Sequence, residues 1–134
     1  MANKGKLPWP VEKGYVSMYY GKQPHPIVKT ATIQSNGVRI VTDKGSKARA
    51  VFNGTVLAVQ VTTGNRKAVL IQHGNYITVY KNLENVFVTK GDKVKTKQEI
   101  GTIFNDKVTG KTIIGFVLSK NTATENPKSW IYKM

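Results

Sequence analysis

Residues 53–82 read "NGTVLAVQVTTGNRKAVLIQHGNYITVYKN". β-Branched and aromatic residues alternate here with polar ones, and two turn-forming clusters, Thr62-Thr63-Gly64-Asn65 and His73-Gly74-Asn75, break the runs. A period of two places successive side chains on opposite faces of a strand, so each run reads as a strand with one covered face. The stretch therefore predicts three strands, 54–62, 67–73 and 76–82, folded as an antiparallel meander. Asn53-Gly54 in "FNGT" lies between two apolar runs and predicts a further tight hairpin.

Working outward, the same pattern predicts strands at 38–42, 47–51, 97–104 and 112–120, with weaker extended stretches at 15–19 and 27–33; helical periodicity is hard to find. The chain reads as all-β. "LPWP" restricts the backbone around Trp9 to extended geometry, so residues 1–14 read as an extended segment lying over the sheet rather than joining a ladder. A weak internal repeat is also present. "GSKARAVFNGTV" from Gly45 and "GDKVKTKQEIGTI" from Gly91 both open on Gly-polar-Lys and reach Gly-Thr-aliphatic nine or ten residues later, as two hairpins of similar shape would. Such pairs build the barrel-like sandwich found in biotinyl/lipoyl carriers and in some cell-wall hydrolases.

At 134 residues the chain suits a single domain, 1–134, able to bury about two-thirds of its unfolded surface. Hydrophobic residues at 40% and charged ones at 21% are ordinary globular usage, which argues against disorder and membrane insertion. The absence of cysteine excludes disulfides, thiolate zinc sites and a cysteine nucleophile. "MANKGKLPWP" lacks the apolar stretch of a secretory signal, so if the protein is exported this chain is a fragment or mature form. Formal charge is +14, which attracts anionic partners: nucleic acid, anionic wall polymers or an acidic protein surface. Lysines that solvate strand edges are the plainer account of many of these charges.

Other chemistries lack their residues. Serine catalysis needs a base held beside the hydroxyl, and Gly-x-Ser-x-Gly is absent. The glycines of "KGDKVKTKQEIG" are turn formers and do not lead into a helix as a phosphate loop would. The same hairpin resembles that of carrier domains but has no modifiable lysine in a tight turn. A basic β-barrel binding nucleic acid is the stronger rival, since lysines interleaved with aromatics supply phosphate neutralisation and stacking. Trp9, Tyr80, Phe116 and Trp130, however, read as core.

Six segments in order, "GKLPWPVEKG", "YYGKQPHP", "NGVRIVTDKGSKARAVFNGTV", "VLIQHGNYITVYKNL", "VTKGDKVKTKQEIGTI" and "ENPKSWI", resemble the LytM or lysostaphin-type metallopeptidase domain. More narrowly they resemble the degenerate LytM domain of EnvC-type murein hydrolase activators. The fold this implies is a single LytM-like antiparallel β-sandwich of barrel-sandwich-hybrid type. Active members of the family hold zinc with a His-x-x-x-Asp pair and the second His of a His-x-His strand, and two further histidines assist catalysis.

Carried over position by position, the resemblance puts Ser35 where the first histidine would stand and Arg39 where the aspartate would. Arginine has no donor electron pair and stays protonated, so it repels a metal ion. In "YKNL" Asn82 takes the place of a catalytic histidine. In "TIIGFVLSK" the His-x-His positions become Ile113 and Gly115, or, with a one-residue slip, Thr112 and Ile114. His25 and His73 match positions that are not zinc ligands and read as structural.

The resemblance therefore implies a protein that is not an enzyme, needs no zinc cofactor, and binds and activates a zinc-dependent N-acetylmuramoyl-L-alanine amidase at the periplasmic or envelope side during septum splitting. Ser35, Arg39, Asn82, Ile113 and Gly115 would line the partner-binding groove, with Tyr80, Lys81 and Lys111 at its rim. The alternatives are a peptidoglycan-binding module without an amidase partner, a nucleic-acid-binding barrel and a residual hydrolase.

Overall fold

The structure, a computed structural model, describes residues 5–24, 32–120, 123–132 and 134. In chain order the strands are β1 (Tyr15–Met18), β2 (Gly21–Pro24), β3 (Thr32–Ser35), β4 (Val38–Thr42), β5 (Lys47–Arg49) and β6 (Gly54–Val61). They continue with β7 (Lys67–His73), β8 (Tyr76–Val86), β9 (Lys93–Val94), β10 (Glu99–Ile103), β11 (Thr112–Lys120) and β12 (Ala123–Glu125). Two 3-10 turns, Thr63–Asn65 and Pro127–Ser129, are the only helical elements among the described residues, and none is long and apolar enough to cross a membrane.

The all-β reading holds, and the strand ladders among the described residues are antiparallel. The main sheet runs β1-β4-β11-β8-β7-β6-β9; β10 pairs with both β8 and β5, β12 extends β11, and β2 with β3 forms a separate ribbon. The meander over β6, β7 and β8 forms as its alternation predicts. Its reversals are the 3-10 turn at Thr63–Asn65 and the two-residue turn between His73 and Tyr76, where Gly74 supplies a φ of +67°. The expected stretch 27–33 lies mostly outside the described residues, and β2, β9 and β12 are short strands that carry too little alternation to predict.

The hairpin expected at Asn53-Gly54 does not form. β5 and β6 do not pair with each other; β5 pairs with β10 and β6 with β9, so the two halves of the internal repeat interlock crosswise instead of folding as two hairpins. Each residue of the pair has a different job from turn making. A Cβ on Gly54 would meet Gln72 O at 2.5 Å, His73 Nδ1 at 2.7 Å and Ile71 Cγ2 at 2.8 Å, so glycine is needed for close approach to β7. Asn53 uses its side-chain oxygen to accept from Thr96 N at 2.8 Å, which ties the first half of the repeat to the second.

The core runs from Leu7 to Ile131 and is centred on Tyr80 and Phe116, both fully buried and packed edge to face with centroids 5.4 Å apart. Trp130 packs likewise on Tyr76 at 4.9 Å. Trp9 ties the N-terminal segment to the rest of the fold, its Nε1 donating to Tyr132 O and Arg49 Nε donating to its carbonyl, each at 2.9 Å. The segment also makes one parallel bridge, Leu7 to Ile131.

Candidate functional site

β4, β11 and β8 lie side by side, and their register sets Arg39 opposite Gly115 and Gly115 opposite Lys81; Met18 of β1 continues the row beyond Arg39. Strand parity then fixes which residues face outward. Thr112, Ile114 and Phe116 are buried, as are Val38 and Ile40, while Ile113, Gly115 and Val117 face the other way with Arg39. Of the two alignments of "TIIGFVLSK", it is Ile113 and Gly115 that share the face of Arg39, and Thr112 and Ile114 that turn into the core. Gly115 leaves the middle of the row empty. A Cβ there would come 3.2 Å from Lys81 Cβ, so the lysine stem lies across the glycine.

Asn82 reaches the same place through a defect in β8. Tyr76, Thr78 and Tyr80 point inward, but the next inward residue is Leu83, because β8 spends one residue more than β7 between the pairs Val69–Tyr80 and Lys67–Leu83. Asn82 occupies that bulge with φ +69°, a conformation asparagine tolerates better than most residues. Its Nδ2 donates to Ile113 O at 2.7 Å and its carbonyl accepts from Phe104 N at 2.9 Å, which couples β8 to β11 and to the segment after β10.

That segment closes the site. Asp106 Oδ1 accepts from Val108 N at 2.8 Å and Thr109 N at 3.3 Å, which shapes the turn before Lys111. On the opposite side Arg66, on the connection between β6 and β7, lays its guanidinium over the Phe104 ring, 4.2 Å from the centroid. The result is a groove of about 750 Å³ whose lining includes Arg39, Arg66, Lys81, Lys111 and the single carboxylate Asp106. Four cations against one carboxylate give it a positive field, over a floor that Ile113 and Val117 make apolar.

The structure thus brings together Arg39, Asn82, Ile113, Gly115, Lys81 and Lys111. Ser35 ends β3, its backbone paired with Gly21, and its side chain lies outside what is described, as does His25. Tyr80 is not at the rim. It is fully buried behind the sheet, because its place in β8 points it to the core. Sequence reasoning missed Arg66, Phe104, Asp106 and Met18; they are distant in the chain, and no spacing pattern links them to the strand residues.

His73 is structural, within a buried polar chain. Asn53 O can only accept, so the imidazole carries its proton on Nδ1 and donates to it over 2.7 Å, and Nε2 accepts from the Thr78 hydroxyl at 2.8 Å. With that proton committed, Thr78 Oγ1 accepts from Tyr80 Oη at 3.0 Å, and Tyr80 Oη itself accepts from Val51 N at 3.1 Å. Burial pushes His73 below the usual histidine range, outweighing the Asn53 carbonyl, and pushes Tyr80 up to about 12 against the bond it accepts from Val51 N.

The donor set at the groove does not fit a zinc ion. A guanidinium, an amide, an isoleucine and a glycine line the groove, and among the described residues no three of His, Cys, Asp and Glu come close enough to hold a metal.

The profile of peptidase family M23 matches residues 33–127, which carry β4, β8 and β11 and hence the groove. The chain belongs to peptidase family M23. Among relatives, this M23 chain is 23% identical over 131 residues to the murein hydrolase activator EnvC of Escherichia coli K12, a match covering 97% of the chain and 30% of EnvC. Among solved structures it superposes on Csd3 of Helicobacter pylori with a TM-score of 0.78 and 27% identity, covering 96% of the chain and 35% of Csd3. It also superposes on a chain of the SpoIIQ-SpoIIIAH pore-forming complex with a TM-score of 0.76, at 22% identity, covering 98% and 93% of the two chains. The M23 chain thus spans about a third of the length of EnvC and of Csd3.

Proposed function

We propose that this M23 domain is catalytically silent and acts by binding: it activates a zinc-dependent N-acetylmuramoyl-L-alanine amidase of the periplasm or cell envelope, in cell-wall remodelling and septum splitting during cell division. The observation that carries the reading is the register pair Arg39–Gly115. By the family resemblance these are two metal-ligand positions, and a cation and a bare backbone stand there instead. Likeness to a murein hydrolase activator supports the same direction. A groove with an apolar floor and charged edges suits a peptide segment.

Activation follows by population shift if the groove captures a segment that otherwise blocks the amidase. Capture must favour the open enzyme over the closed one, since equal affinity for both would shift nothing.

Release of dye from labelled peptidoglycan tests this, with the domain alone, the amidase alone and the two together, each with and without zinc. Release from the mixture well above the amidase alone is expected. Release by the domain alone overturns the silent-site reading, and a mixture no faster than the amidase alone overturns activation. Arg39→Glu is expected to lower activation at least tenfold while the domain stays folded, because Arg39 is exposed and unneeded by the core.

Positive charge favours a second reading, a peptidoglycan-binding module without an amidase partner. Polyelectrolyte attraction of that kind falls steeply with salt, whereas a packed peptide groove keeps much of its affinity. Nucleic acid binding has less support, since Tyr80, Phe116 and Trp130 are buried and the exposed Tyr15, Tyr19, Phe87 and Tyr132 lie outside the groove lining.

A further inference from the structure

Relying on the activator reading only for the source of the occupant, we infer that the groove is anchored by Arg66, and that Arg66 holds a carboxylate on an acidic, partly apolar peptide segment of the partner. Arg66 differs from the other cations of the groove in being fixed in place. Its guanidinium lies flat on Phe104, and the residue is partly buried where Arg39, Lys81 and Lys111 are exposed.

The fixed guanidinium has no acceptor. Nε is buried and makes no hydrogen bond, and among the described residues none accepts from the rest of the group. A buried donor left unmade is costly, and most folds satisfy it internally. The one carboxylate of the groove, Asp106, is engaged in its own turn through Val108 N and Thr109 N. Stacking on a ring occupies the face of a guanidinium and leaves its N–H edges for a planar, two-oxygen acceptor.

The rest of the lining selects the kind of molecule. Arg39, Lys81 and Lys111 add positive field, which favours an anion over a neutral amide. Ile113 and Val117 present apolar surface that a bare polyanion would leave wet. A peptide that pairs glutamates or aspartates with apolar side chains uses both features.

The test uses the ¹⁵N-labelled chain and three probes. One is a dodecapeptide with apolar residues at every third and fourth position and glutamates between them, the second its glutamine counterpart, and the third inorganic polyphosphate. The Arg66 Nε–Hε resonance is expected to shift with the glutamate peptide. Affinity is expected to fall at least tenfold for the glutamine peptide, and at least tenfold for Arg66→Gln, with Arg66→Lys recovering part of it. Phe104→Leu removes the supporting ring and is expected to weaken the glutamate peptide severalfold, which keeps the test open should Arg66→Gln fail to fold. Equal binding of the two peptides, an unmoved Nε resonance, or a response to polyphosphate alone would overturn the inference, the last in favour of an anionic polymer. Because the titration contains no amidase, a persisting Nε shift beside failed dye release sinks activation alone. Activation that survives Arg66→Gln sinks the anchor alone.

Discussion

At the scale of single residues, two glycines illustrate opposite demands. Gly54 is hemmed in by backbone and β7 side chains, with no atom free to yield. Gly54→Ala is expected to cost about 1–3 kcal/mol in denaturant unfolding, the range of overpacked sites. Gly115 faces only the Lys81 side chain, and Gly115→Ala asks the Lys81 Cβ, 3.2 Å from the added methyl, to give by a few tenths of an ångström. Its expected stability change is below about 0.5 kcal/mol, while the added methyl narrows the groove and lowers partner activation. A collapse in stability at Gly115 would mean that the groove is part of the fold's support.

The buried chain from His73 to Val51 yields two further expectations. Tyr80→Phe leaves Val51 N–H without its acceptor and should cost about 1–3 kcal/mol. Burial lowers the pKa of His73 in the fold, whereas the unfolded chain protonates near about 6.5. Above that value neither state holds the proton and His73 has no effect on stability. As pH falls through it, the unfolded state gains a proton that the fold resists, so stability is lost towards acid. The denaturation midpoint should drop between about pH 7 and pH 5, and a flat profile would contradict the burial argument.

At the scale of elements, the bulge in β8 decides the geometry of the site. It changes strand parity at Asn82, so that Tyr80 faces the core, Lys81 and Asn82 face the groove, and Leu83 returns to the core. Asn82→Ala keeps φ near +69° without the bond to Ile113 O and should cost about 1–2 kcal/mol, a residue in left-handed conformation being strained by about that much. Asn82→Gly relieves the strain and is expected to lose less. If alanine and glycine behave alike, the side-chain bond rather than the backbone holds the bulge.

At the scale of the whole molecule, the crosswise pairing of β5 with β10 and β6 with β9 joins segments some forty to fifty-five residues apart, so distant strands as well as the local meander hold the sheet together. The same molecule carries a formal charge of +14. Self-repulsion of that size is screened over about 10 Å at 0.1 M salt. Thermal midpoints should therefore rise by about a few degrees between about 20 and 200 mM sodium chloride; no rise would mean that the charges are too dispersed to repel.

The sequence by itself determined the all-β class, the meander over residues 54–82, the core placement of Phe116, and the residue identities at Arg39, Asn82, Ile113 and Gly115. All of these rest on local alternation or on residue identity, which a linear chain displays. It misread Asn53-Gly54, because the same dipeptide that makes a tight turn also serves close approach and side-chain bridging, and only the position of β7 and Thr96 distinguishes these uses. Tertiary structure alone decided the alignment of Ile113 and Gly115 with Arg39, the removal of Tyr80 from the rim, and the arrival of Arg66 on Phe104. Register between strands and the meeting of distant loops are set by packing and hydrogen bonding across the sheet, and residues brought together in that way leave no periodic trace in the order of the chain.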